Sequence, residues 1–196
     1  MKTPITVSGI PNGISINKLI KMSGDSFFKI GTDLRSKTVG KFTYLGFKYV
    51  LHRNSKKNLV VFIKLYFIVQ GVKHDGKRER YTLAAMLPYR SDIKNMKRLY
   101  DLPVKLFSSD PSFKWYFAYV LNKSDLVIND EKIILAHLGE SLTKPPKKRN
   151  PNLVKQLTKH FYKFFIFIAN KKPKEYLDKK YELEPNFKMP ILNRNT

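Results

Sequence analysis

The chain has 196 residues, with 38 lysines and arginines against 15 aspartates and glutamates, for a formal charge of +23. That is enough for one domain with arms and short for a typical two-domain enzyme. With 42 % hydrophobic residues and 13 % aromatics, wholesale disorder is excluded. The absence of cysteine excludes disulfide frameworks, thiolate zinc sites, iron–sulfur clusters and cysteine nucleophiles.

A charge this large repels itself and calls for an acidic partner: nucleic acid, an acidic protein surface or anionic lipid. Lysine dominates the cations, and lysine is a mobile point charge where arginine is a bidentate fork, so base-specific readout is disfavoured. The same excess of Lys, Asn, Ile, Phe and Tyr fits translation from an AT-rich genome, which makes part of the charge a codon effect. The longest apolar run, residues 59–69, is interrupted by Lys64 and falls short of the roughly 20 residues of a membrane helix. Met1-Lys2-Thr3-Pro4 has no apolar segment of signal-peptide length behind it. The expectation is a soluble protein of a reducing compartment with no membrane partner.

In chain order, residues 1–35 read as an N-terminal arm punctuated by Pro4, Pro11 and Gly13, with one short amphipathic helix carrying Ile16, Leu19, Ile20 and Met22. Residues 36–172 read as a single α+β domain. Within it, residues 41–52 alternate, with Leu45, Phe47, Tyr49 and Leu51 on one face. A polar turn over residues 53–57 and a near-continuous apolar strand over residues 58–70 follow. After the turn dipeptide Asp75-Gly76, residues 80–87 make a third strand, so the expected layout is an antiparallel β-meander.

Pro88 and Pro103 bracket a link in which Ile93, Met96 and Leu99 suggest a helical turn or two. Asp110-Pro111 then combines a side-chain cap with proline at the first helical position. The resulting helix runs to about Lys123, with Phe113, Phe117, Val120 and Leu121 on one face. After an irregular stretch and a proline–lysine loop over residues 142–149, Asn150-Pro151 starts the longest helix. Its stripe is Leu153, Leu157, Phe161, Phe164 and Ile168, and Pro173 limits it. The two helices are expected to pack together. Residues 173–196 read as an extended C-terminal arm, because Pro185 and Pro190 disfavour regular structure.

Candidate chemistry is sparse. His52, His74, His137 and His160 show no helical metal-ligand spacing and no nucleophile-elbow context. Acid-x-Lys elements at Asp130-Glu131-Lys132 and Asp75-Gly76-Lys77 could hold magnesium for phosphodiester cleavage, but Asp75 is explained by its turn and the Asp130 pair by a solvated loop. There is no Walker A loop and no Gly-rich dinucleotide fingerprint. The basic loop with Lys144, Lys147, Lys148 and Arg149 leads into a helix start whose polar side carries Lys155, Lys159 and Lys163. Cations beside a helix N-terminus suit a phosphate or an acidic partner, and a solvated lysine-rich face explains the same run.

One stretch carries a family likeness. Val104-Lys105-Leu106-Phe107-Ser108-Ser109-Asp110-Pro111-Ser112-Phe113-Lys114-Trp115, then Arg149-Asn150-Pro151, then Gln156-Leu157-Thr158-Lys159-His160, resembles the SWIM-type zinc-finger domain of many tailed-phage proteins. There a Cys-x-Cys-Pro-x-Phe segment precedes an aromatic helix, and an Asn-Pro loop leads to Cys-x-His. The likeness covers residues 104–172. It implies zinc ligands at Ser108, Asp110, Thr158 and His160, of which only His160 keeps a ligating side chain of the family's kind. Hydroxyls are poor zinc ligands beside thiolates, so neither metal nor cofactor is expected. Aromatic packing from Phe113, Trp115, Tyr116, Phe117, Tyr119, Phe161, Tyr162, Phe164, Phe165 and Phe167 would replace the metal. Locally, Asp110 serves as a helix cap, Ser108 belongs to the entry turn, Thr158 faces the partner helix and His160 is a semi-buried histidine.

The function these readings imply is non-enzymatic: a structural component of a phage virion, assembled in the host cytoplasm, whose basic surfaces and extended arms join neighbouring virion proteins and meet packaged DNA. The alternative is a sequence-nonspecific nucleic-acid-binding protein of ribosomal or genome-associated type. A metal-dependent nuclease using Asp130 and Glu131 is the weakest reading.

Overall fold

The computed structural model describes residues 13–24, 41–53, 59–72, 78–146 and 152–191. Strands β1 (Phe42–Arg53), β2 (Leu59–Val72), β3 (Arg78–Pro88) and β4 (Lys105–Ser108) form one sheet in the order β1-β2-β3-β4. Every neighbouring pair is antiparallel. Helices follow the sheet, so the fold is α+β with the expected meander. The four-residue β4 is an addition to that reading, being too short to show a period of two.

Alternation along β2 sends its two sets of side chains to opposite faces. Phe67 meets Phe42, Tyr44, Phe164 and Phe167 on one face. Lys64 and Tyr66 point to the other face, where Glu131 and Phe187 cover them. Ile63 through Phe67 are all buried, Lys64 included, because both faces of the sheet are roofed.

The alternating stripe of β1 departs from its expected phase. The register shifts between Tyr44 and Gly46, so Leu45 is a bulged extra residue and Tyr44 joins Phe47 on the face of Phe67 and Leu65. The outer end of that stripe is uncovered: Leu51 and Tyr49 are exposed.

Helix α1 (Ile16–Met22) is capped by the Ser15 hydroxyl, which accepts from the Lys18 amide. It buries Ile16, Leu19 and Ile20, while Met22 is exposed. The Pro88–Pro103 link holds one 3-10 turn, Ile93–Asn95, with Ile93 and Leu99 buried. The Asp110-Pro111 start behaves as expected: Asp110 accepts from the Ser112 amide at 2.7 Å. The helix then opens into a π-turn, Phe113–Phe117, before α2 (Ala118–Lys123). Helix α3 (Lys132–Leu138) lies in a stretch expected to be irregular.

The expected longest helix is two helices, α4 (Leu153–His160) and α5 (Tyr162–Asn170). The break falls at Phe161, φ −93° and ψ 9°, within a run of aromatic residues of low helix propensity. Its stripe is nevertheless continuous: Leu153, Leu157, Phe161, Phe164 and Ile168 are all buried. The Asn150-Pro151 start lies outside the described residues, as do Asp75, Gly76, Lys77 and His74.

The C-terminal segment is extended, and it lies on its own sheet. After one turn, α6 (Pro173–Tyr176), and a 3-10 turn at Lys179–Tyr181, the chain meets the edge of β1, where the Leu183 amide donates to the Phe47 carbonyl at 2.8 Å. It then crosses to the opposite face. There the Phe187 ring packs on Tyr66, the Phe187 carbonyl accepts from Lys48 Nζ, the Pro190 carbonyl accepts from the Thr82 hydroxyl and Met189 is buried. Residues 173–191 therefore act as a strap on the domain, and the expected reach of this arm toward neighbouring subunits does not apply to them. Prolines prevent regular structure but leave carbonyls free to accept and rings free to pack.

Candidate functional site

The surface that gathers the sequence-derived candidates lies where β4 turns into the π-turn and where α4 packs beside it. Ser108 Oγ accepts from the Asp110 amide at 3.2 Å, Asp110 caps through Ser112, and Ser109 Oγ accepts from the Thr82 amide at 2.9 Å. These contacts tie the helix entry to the sheet. From this entry Phe113, Phe117 and Leu121 turn inward, while Trp115 and Tyr116 point out, 61 % and 53 % exposed. Sequence reasoning counted both rings as packing, and the structure moves them to the surface. The helical period puts consecutive residues 115 and 116 opposite the buried stripe of 113, 117 and 121, a signal already present in the spacing.

His160, at the end of α4, is ringed by aromatics. Tyr81 stacks on it at 5.6 Å between centroids, Phe117 lies at 5.8 Å and Phe113 at 6.2 Å. Burial holds its imidazole below the usual histidine range, and the Asp110 charge acts in the opposite direction without prevailing. Nε2 is shut from solvent and has no hydrogen-bond partner. The Tyr81 hydroxyl is raised by burial and then by the Asp110 charge.

The ligand set implied by the family likeness does not fit zinc here. Ser108 and Asp110 are spent on the helix entry, and the Thr158 hydroxyl donates to the Val154 carbonyl of its own helix at 2.8 Å. Only His160 keeps an uncommitted donor atom, and among the described residues no group of three or more His, Asp or Glu is placed to hold a metal ion. Purified protein should therefore carry far less than one equivalent of zinc by atomic emission, with an unfolding temperature that EDTA does not move. A structural zinc of small-finger type contributes on the order of 10 kcal/mol, so a real site would announce itself as chelator-induced unfolding.

The basic candidates divide. Lys147, Lys148 and Arg149 lie outside the described residues. Lys144 is exposed and pairs with Glu140 one turn earlier, so it is not a free cation. Lys155 and Lys159 are exposed on α4, one helical turn apart on one side. Lys163 is half-buried and its ammonium is lowered by that burial, which sets it apart from the solvated pair. Between α4 and the π-turn runs an open groove of about 380 Å³, lined by Ser112, Tyr116, Phe117, Gln156, Lys159 and His160.

The carboxylates are placed differently from the expectation. Asp130 and Glu131 are not a solvated loop pair: they close over Lys64, which is 0 % exposed. Lys64 Nζ donates to both Asp130 oxygens at 2.6 and 2.7 Å and to Glu131 Oε1 at 2.8 Å. The Tyr66 hydroxyl donates to the same Glu131 oxygen at 3.0 Å, and Lys48 stands 3.6 Å from it. Burial raises the Glu131 carboxyl, but the Lys64 hydrogen bond and charge, then Lys48 and Tyr66, outweigh it and hold it below the ordinary value. Carboxylates neutralised in this way have little capacity to collect magnesium. A lysine inside an apolar run was the available signal, since a buried cation must find an anion.

His137 is partly buried against Phe107. Burial lowers its imidazole first and the Lys114 charge second, against a hydrogen bond that the ring donates to the Ser109 backbone. His52 sits edge-on to Phe62 near a strand end. No helix among the described residues is long and apolar enough to cross a membrane.

No protein-family model matches the chain, and neither does a curated protein or a solved structure. The SWIM-type likeness rests on the quoted residues alone.

Proposed function

We propose that this chain is a non-catalytic structural component of a large assembly, of the kind that builds a tailed-phage virion, which adheres to acidic neighbours through lysines on α4 and the adjoining loop. The reading draws on the family likeness of residues 104–172 and on one observation above the rest. Around the π-turn and α4 the exposed groups include the cations Lys155 and Lys159 and the rings Trp115 and Tyr116, whereas the carboxylate pair Asp130 and Glu131 is held by a buried lysine. Cations and aromatics supply attraction and contact area but no proton relay.

Mass spectrometry of density-purified particles from cells that make the protein tests this. The expected result is recovery at a fixed ratio to the major shell proteins through a salt wash. A protein found only in the free, soluble fraction as a monomer would overturn the proposal.

A second reading takes the acidic partner to be nucleic acid, held through phosphates without base recognition. Lysines beside exposed rings suit it, because bases stack on rings while phosphates meet the cations.

A further inference from the structure

We propose that the groove between the π-turn and α4 is a binding site for single-stranded polynucleotide, in which a base stacks on Tyr116 while its phosphate meets Lys159, with Trp115, Lys114 and Lys155 near these residues in the chain to extend the contact. This deepens the second reading above and rests on it.

Three observations converge. First, two large rings at adjacent positions are more than half exposed, and a base presents a π-face to any ring regardless of sequence. Second, cations stand beside the rings. Lys114 Nζ lies over one face of Trp115, 5.2 Å from the ring centroid, and Tyr116 and Lys159 line the same groove. A stacked base at Tyr116 would bring its backbone phosphate within reach of Lys159. Third, the rings are displayed by a π-turn, Phe113–Phe117, a rare deviation that recurs at functional sites. Here the turn keeps Phe113 and Phe117 buried on either side of the two outward rings.

The groove, at about 380 Å³, lies inside the roughly 300–1,000 Å³ range of ligand pockets. It is open to solvent. Duplex DNA keeps its bases stacked inside and offers only phosphates to such a surface. The preponderance of lysine matches a site that holds backbone without reading sequence.

Trp115 is the chain's single tryptophan and adjoins Tyr116, which makes it a reporter next to the site. Titration of the full chain with oligo(dU) or oligo(U) should quench its emission saturably, and the tighter of the two assigns the sugar. Tyr116→Ala should weaken binding about tenfold or more. Lys159→Gln should lower the slope of log affinity against log salt by about 0.7. Both residues are exposed, and unchanged circular dichroism confirms folding of each variant.

Equal binding of a duplex of the same length, with Tyr116→Ala without effect, would overturn the single-strand site and leave the second reading standing. Equal competition by polyglutamate would overturn both. Absence of binding to single strand and duplex at low salt would do the same.

Discussion

Replacing Gly46 with alanine should cost about 3 kcal/mol, near the top of the range for a residue forced into a conformation reserved for glycine. For a chain of this size that corresponds to a fall of roughly 6–12 °C in Tm. Gly46 sits at the bulge of β1 with φ +139°. A methyl group there would press into the Tyr181 carbonyl oxygen and come within 2.9 Å of the Leu183 side chain. The opposing atom is backbone and cannot rotate away. The variant must therefore lift the strap off the edge of β1, loosening Leu183, Phe187 and Met189 together.

Gly13 supplies the control. It too has positive φ, +63°, but a methyl group would meet nothing within 4 Å, so Gly13→Ala should lose only the left-handed penalty of about 1 kcal/mol. Urea denaturation of both variants checks the pair. Equal losses would mean that crowding under the strap is not what fixes glycine at position 46.

Lys64→Met should destabilise by about 3–5 kcal/mol, the range for stripping one partner from a buried ion pair. The two carboxylate side chains left behind are only 12 % and 18 % exposed and would face each other with Lys48, 3.6 Å from Glu131, as their remaining neighbouring cation. Neutralising them as well, in Lys64→Met with Asp130→Asn and Glu131→Gln, should recover most of the loss, because a buried ion pair is replaceable by uncharged packing.

The pH dependence separates the two species by sign. In the native protein Glu131 lies below its ordinary value of 4.5, so it binds fewer protons folded than unfolded. Its contribution is complete above that ordinary value and is lost as pH falls through the folded one. In Lys64→Met the carboxylates are desolvated and mutually repelling, so protonation relieves them and stability should hold or rise over the same acid range. Parallel acid limbs for the two proteins would contradict the arrangement described around Lys64.

Much of the sheet was legible because its signals are local. Alternation in β1, the apolar run of β2 and the turn dipeptide before β3 each act over a few residues, and the Asp110-Pro111 helix start is a two-residue signal. What escaped is non-local. Glu131 and Asp130 are separated from Lys64 by 67 and 66 positions, and short α3 with its acidic approach reads as loop until the buried cation is in view.

Gly46 was silent for the same reason, since the strap that requires it arrives from residues 181 and 183. At the candidate site, Lys155, Lys159 and Lys163 were read together as the polar side of one helix, of which Lys155 and Lys159 are exposed and Lys163 is half-buried. Lys144 was read without its i−4 acid, and Trp115 and Tyr116 were read by their hydrophobicity and not by their phase on the helix. A spacing of four between Phe113 and Phe117 leaves the residues between them facing outward, and that outweighs the apolar character of two rings.

The strap has a kinetic consequence. Its bonds join positions far apart in the chain: Tyr44 to Tyr176 across 132 residues, Lys48 to Phe187 across 139 and Thr82 to Pro190 across 108. Closing such long loops comes late and slows the search. A nascent chain thus keeps the face of its sheet that carries Tyr66, and the edge of β1 at Phe47, open until residues 183–190 have been synthesised. Maturation of the domain is timed by its tail, and truncating a few residues there would leave newly made chains vulnerable to proteases well before any loss of binding could be measured.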